Sequence, residues 1–170
     1  MKLKRKDKIE KIIKTLMIQH NDLYLNYCGN KPIDIEKYFS IEDNLKSFPP
    51  LGKLEATELD YFYYIYHNES VVGFYRITDL YFKGIIELHG SFNKHNTFLI
   101  KSYFELTRLF VYNVLKLFPN SVINSCVHSE NKRAIVFLNY LGFEFIEIDK
   151  SNNNFLIFEK IKIKTTHKSV

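Results

Sequence analysis

Between Val127 and Phe143 the chain reads Val-His-Ser-Glu-Asn-Lys-Arg-Ala-Ile-Val-Phe-Leu-Asn-Tyr-Leu-Gly-Phe, and this stretch constrains the fold more than any other. It opens at the end of a short apolar run, Val122–Val127. Ser129 or Asn131 offers a side-chain oxygen to cap a helix. Ala134, Phe137, Leu138 and Leu141 then recur at steps of three and four, which makes one apolar helical face. Gly142 follows the last apolar position, where helices commonly end in a left-handed residue. Phe143 begins an alternating run to Ile148. Strand, short helix, glycine and strand are thus packed into roughly 30 residues, the size of one supersecondary unit.

The rest of the chain supplies the surroundings of that unit. The spacing of Ile9, Ile12, Ile13, Leu16, His20, Leu23 and Tyr27 predicts a helix over Asp7–Tyr27, with His20 as a packed core residue. Asp34 and Ser40 can cap short helices over Ile35–Phe39 and Ile41–Phe48, and Pro49-Pro50-Leu51-Gly52 ends that pair. From Leu59 the pattern turns to β. Leu59–His67 is rich in Tyr, Phe and Ile, His67-Asn68-Glu69-Ser70 reads as a turn, and Val71–Leu80 and Ile85–Phe92 complete an antiparallel meander. Thr97–Phe118 is the longest predicted helix, polar only along Lys101, Glu105, Arg108, Tyr112 and Lys116, as expected of a helix laid on a sheet. Ser121–Val127 reads as a buried strand and Phe155–Ile163 as the last one.

The chain has 170 residues, 46% of them hydrophobic and 16% aromatic, enough for one packed domain spanning 1–170. No run approaches the ~20 apolar residues of a membrane span. Met1–Lys14 is charged throughout, unlike a signal peptide, and Cys28 and Cys126 make neither a disulfide framework nor a metal spacing, so a cytoplasmic setting is expected. The net charge of +5 sits on the ends: residues 1–14 carry a local +5 and 159–170 a local +3, which leaves the body at −3. A solvated helix start and a frayed tail account for this, and no basic stripe interleaved with aromatics argues for nucleic acid.

The spelling adds a resemblance. Asn131 with Ala134 three residues on, and Gly142-Phe143 closing the helix, resembles the N-x-x-A … G-F segment of the GCN5-related N-acetyltransferase (GNAT) superfamily. The element order from Ile35 to Ile163 is similar to that family's, and Val72-Gly73-Phe74 resembles the opening of its third strand. The implied fold is α/β: a mixed, mainly antiparallel central sheet flanked by helices. Here a basic N-terminal helix stands where the family has its first strand.

The resemblance implies acetyl-CoA as co-substrate and transfer of the acetyl group to an amine. Its pyrophosphate would meet the loop and helix start around Lys94, His95, Asn96, Thr97 and Phe98, where the family has a glycine-rich Q/R-x-x-G-x-G/A segment and this chain has no glycine. Leu99 stands at one of the small-residue positions. Asn131 would lie near the pantetheine, and backbone N–H groups near Gly90 and Phe92 would hold the thioester carbonyl. Glu87 and His89, two apart on one strand, share a face. Glu87 resembles the acidic base that the family often carries on this strand, with His89 as the alternate. Counting from Asn131, Leu138 occupies the position where the family often has a Tyr that protonates the thiolate, and Tyr140 reads as structural.

The expected partner is an amine-bearing small molecule or protein, with neither nucleic acid nor membrane involved. A homodimer is compatible with the aromatic surface. The rival reading is a non-catalytic binding module on the same fold, of the phage type that Glu87-Leu88-His89-Gly90 also resembles.

Overall fold

The computed structural model describes residues 10–11, 14, 18–29, 57–80, 83–92 and 94–160. An eight-stranded sheet runs through it in the order β1-β2-β3-β4-β5-β6-β8-β7. The strands are β1 (Gln19–His20), β2 (Leu23–Gly29), β3 (Asp60–His67), β4 (Ser70–Leu80), β5 (Ile85–Phe92), β6 (Val122–His128), β7 (Glu144–Ile148) and β8 (Phe155–Lys160). Among the described residues α1 (Ile100–Leu117) and α2 (Lys132–Tyr140) are the complete α-helices that accompany them. Every strand pairing is antiparallel except β5 with β6.

The helix predicted over Asp7–Tyr27 is met at its start, where Glu10 and Lys11 are helical and the Lys14 N–H donates to the Glu10 carbonyl at 2.9 Å, and overturned in its second half. Residues 18–29 form a hairpin, and β2 pairs with β3 from Leu23↔His67 to Gly29↔Phe62. The four-residue step from Leu23 to Tyr27 fits a period of two as well as a helix, and His20 lies opposite Leu23 across a turn. Leu23 and Leu25 are buried while Tyr24 and Asn26 are exposed. Asn21, at φ 51°, takes the left-handed turn that Asn tolerates well. The sheet therefore has a strand where the sequence reading put a helix. The helices expected over Ile35–Phe39 and Ile41–Phe48, and the Pro49–Gly52 loop, lie outside the described residues.

The meander follows the predicted bounds closely. Its β3–β4 turn places Asn68 and Glu69 at φ 45° and 68°, the paired left-handed conformation that suits the twist of a hairpin. The long helix starts later than Thr97. Lys94–Leu99 is a 3₁₀ segment kinked at Asn96, and α1 begins at Ile100.

Helix α1 buries Tyr103, Leu106, Thr107, Phe110, Val111, Val114 and Leu115 against one face of the sheet. Its anchor is aromatic: Tyr75 of β4 stacks on Phe110 with centroids 4.4 Å apart, and Phe92 of β5 stacks on Tyr103 at 4.3 Å. The Tyr75 hydroxyl hydrogen-bonds Thr107 Oγ1, and Thr107 in turn donates to the Tyr103 carbonyl at 2.7 Å. Gly90 lies directly opposite Tyr75, and a Cβ there would come within 2.8 Å of the ring. Glycine at 90 is what lets this fixed ring lie flat on β5.

Helix α2 is held at both ends as its spelling predicts. Asn131 Oδ1 accepts from the Ala134 N–H at 3.1 Å. At the other end Gly142 (φ 78°) and Phe143 donate back to Asn139 and Leu138, the doubly bonded turn that closes many helices. The Lys160 ammonium donates to the Leu141 carbonyl at the same end, where the helix dipole favours a cation.

Candidate active site

Strand β5 is paired differently along its two edges. Against β4 it is paired from Leu80↔Ile85 to Gly73↔Phe92, its whole length. Against β6 it is paired only at Ile85↔Val122, Ile86↔Ile123 and Glu87↔Asn124. Beyond that pair the two parallel strands part. Among the described residues, the β6-facing backbone groups of Leu88–Phe92 have no strand partner. Alternate N–H and C=O groups along such an edge point into the gap, where they can bind an extended chain.

The N-terminus of α1 follows β5 directly. Leu99 is its N-cap residue, with no side-chain hydrogen bond, and its first turn holds no acidic residue. The positive end of the dipole of this eighteen-residue helix is thus met by neither a Leu99 side-chain bond nor an acidic residue in the first turn. Leu99 itself is buried in the core, so its side chain is turned away from solvent at the helix end. The bulk that the sequence places at this small-residue position is absorbed by packing.

Glu87 and His89 do share a face of β5, with Glu87 Oε2 and His89 Nε2 3.9 Å apart. That is ion-pair range for a protonated imidazole and too long for a direct hydrogen bond. Interaction with His89 holds the Glu87 carboxyl below the usual carboxylate range, outweighing the burial that pushes it up, and Arg76 and Lys83 add to the lowering. Glu87 is therefore a carboxylate at neutral pH. A carboxylate there can orient an imidazole or hold an ammonium.

The other residues singled out in the sequence are placed as follows. Gly90 and Phe92 lie on the unpaired stretch of β5, with their side-chain positions turned to the α1 face. The backbone of Lys94–Leu99 forms the 3₁₀ approach to α1, while the side chains of Lys94, His95 and Thr97 lie outside the described ones. Asn96 carries the kink, and Phe98 is exposed, its ring edge-on to His67 at 5.8 Å. The Asn131 side chain is engaged as the α2 cap. Leu138 is buried, and the Tyr140 hydroxyl donates to Glu105 on the surface of α1 at 3.1 Å, a structural contact.

Sequence reasoning missed the polar row beside the site. Asp60, Thr78, Glu87, Asn124, Glu159 and Glu144 are directly opposite one another across β3, β4, β5, β6, β8 and β7. They lie on the face away from α1. Asp60 is fully buried and accepts from Arg76 Nε at 2.8 Å, Thr78 Oγ1 at 2.6 Å and the Thr57 N–H at 2.7 Å. Burial pushes its carboxyl up, and these donors more than reverse the effect. Arg76, opposite His89 in the ladder, has its guanidinium held by this carboxylate. The available signal was an acid and an arginine inside otherwise aromatic and aliphatic strands.

No group of three or more His, Cys, Asp or Glu among the described residues could hold a metal ion. No described helix is long and apolar enough to cross a membrane.

No protein-family model matches the chain, and no curated protein matches its sequence. Solved structures do match. A GCN5-related N-acetyltransferase from Brucella melitensis superposes with a TM-score of 0.58 at 15% identity, covering 85% of this chain and 78% of that one. The ribosomal-protein-S5-alanine acetyltransferase from Vibrio fischeri gives 0.57 at 10% identity, over 88% and 98% of the two chains. The Campylobacter jejuni N-acetyltransferase PseH, solved in complex with acetyl coenzyme A, gives 0.51 at 12% identity, over 66% and 74%. With its meander, its parting β5 and β6 and its Asn131-capped helix closed by Gly142-Phe143, this chain has the fold of the GCN5-related N-acetyltransferases.

Proposed function

We propose that this protein is an acyl-CoA-dependent N-acetyltransferase, with acetyl-CoA as co-substrate and an amine as acceptor. One observation carries the reading: β5 and β6 part after Glu87↔Asn124 and leave an edge of backbone groups that have no strand partner among the described residues, close to the N-terminal end of α1. An amide-bearing pantetheine arm matches such an edge. A pyrophosphate matches the helix end without needing glycine in the preceding loop, because backbone N–H groups and the dipole supply the attraction. PseH, of the same fold, is described with acetyl coenzyme A bound.

The chemistry follows from the pair on β5. The acceptor amine attacks the thioester carbonyl carbon, a C–N bond forms, and the C–S bond breaks with its electron pair leaving on sulfur. Free N–H groups of Leu88–Phe92 lie where they can donate to the developing oxyanion. His89 takes the amine proton, directly or through one water, and Glu87 orients the imidazole. The Glu87 carboxylate is thus a partner to the base. The leaving group departs as thiolate, since Leu138 cannot donate a proton and Tyr140 is committed to Glu105.

The rival reading, a binding module without catalysis, draws on the glycine-free approach to α1. Calorimetric titration with acetyl-CoA, followed by an amine screen monitored by thiol release, separates the two. Binding in the micromolar range with thiol release supports the enzyme. Absence of binding at millimolar acetyl-CoA overturns it.

A further inference from the structure

Asn124 is the last β6 residue paired with β5, and it stands directly opposite Glu87. Paired residues of adjacent strands project to one face, so Asn124 shares the face of Glu87 and His89 at the point where the strands part. Its amide oxygen is fully buried and has no hydrogen-bond partner among the described residues. Buried side-chain oxygens are nearly always satisfied, and an orphan costs stability. An amide oxygen only accepts, so the group that complements it is a donor.

The surroundings narrow that donor. Glu87 flanks Asn124 on β5, Glu159 flanks it on β8, and Glu144 follows on β7. Among the described residues neither Glu159 nor Glu144 has an ion-pair partner. A donor placed between these carboxylates is favoured when cationic and disfavoured when it carries a phosphate or carboxylate of its own. The row continues from Asn124 at about 4.8 Å per strand, so Glu159 and Glu144 lie about 5 and 10 Å farther on.

We infer that Asn124 is the positioning residue for the acceptor: its Oδ1 accepts a hydrogen bond from the ammonium of an aliphatic di- or polyamine, whose second cationic centre lies along Glu159 and Glu144. The inference rests on the acetyltransferase reading. It assigns a substrate class to the face that this reading leaves unspecified.

The test uses the full chain with acetyl-CoA, spermidine as the polycationic probe and aniline as a neutral amine. Spermidine turns over with a higher kcat/KM than aniline. Asn124→Ala raises KM for spermidine about tenfold or more, the scale of a hydrogen bond to a charged group. Its KM for acetyl-CoA is unchanged, and its melting temperature is unchanged or higher because an unpaired oxygen has gone. Asn124→Asp keeps an accepting oxygen and restores KM for spermidine to near the wild-type value. An unchanged spermidine KM in Asn124→Ala overturns the inference. So does a rise in both KM values with a falling melting temperature, which marks a purely structural asparagine. Acetyl-CoA binding without any spermidine turnover overturns the polyamine assignment and leaves the acetyltransferase reading standing, whereas no acetyl-CoA binding overturns both.

Discussion

Asp60 and Glu87 stand in one cross-strand row, two strands apart, and the protein treats them in opposite ways. Asp60 is sealed from solvent, and Thr57, Arg76 and Thr78 donate to its oxygens at ordinary hydrogen-bond distances. Glu87 is partly open, has His89 at 3.9 Å, and lies beside an Asn124 oxygen without a hydrogen-bond partner among the described residues. Saturated polar clusters fix a fold, because every group has already found its partner. Unsaturated ones at a break in the strand ladder are where a substrate's groups can complete the network. The same contrast runs along β5, which is fully paired on its β4 edge and half paired on its β6 edge.

The largest test of this contrast falls on the saturated side. Asp60→Ala strands the mostly buried Arg76 guanidinium, and should cost about 3–5 kcal/mol in denaturant unfolding, as breaking a buried pair does. A loss below about 1 kcal/mol would show that the cluster does not hold the sheet. The pH dependence has a definite sign. Because the folded-state pKa of Asp60 is lowered, its stabilisation is complete above the unfolded value of about 3.9 and is lost as pH falls through the folded value. Asp60→Asn should remove that acid-side slope, which thermal melts between pH 2 and 6 would reveal.

On the unsaturated side the losses should appear in rate and not in stability. His89→Gln should lower kcat/KM for acetyl transfer about a hundredfold, the low end for a missing general base, with little change in melting temperature. Glu87→Gln should lower it about tenfold, since it removes one charged partner of the imidazole. If Glu87→Gln costs more than His89→Gln, the roles of the two residues are reversed. Smallest is Tyr75→Phe, which deletes one buried hydrogen bond to Thr107 and should cost about 1 kcal/mol in urea unfolding while kcat/KM stays put.

Much of this architecture was legible in the residues. The Asn68-Glu69 turn, the alternation of Glu87 and His89, and the Asn131 and Gly142 ends of α2 are local signals, and local hydrogen bonds realise them. The β1–β2 hairpin was not legible, because the step of four from Leu23 to Tyr27 fits a helix as well as a strand, and His20 meets Leu23 only through a turn at Asn21 and Asp22. Asp60 and Arg76 are sixteen residues apart, and nothing in either strand announces the other. Asn124 sits in a run that reads as a plain buried strand. Its meaning depends on where a parallel pairing stops, which is a property of two strands thirty or more residues apart and of no short motif.

The most direct test of the central claim is amide NMR of the uniformly ¹⁵N-labelled protein during titration with acetyl-CoA. The account predicts that amides of Leu88–Phe92 and of the first turn of α1, from Ile100, shift together and saturate at one concentration, with the β3–β4 amides near Asp60 unmoved. Saturating shifts confined to other parts of the surface, or no shifts at all, would contradict the claim that the parted strands hold the acyl donor.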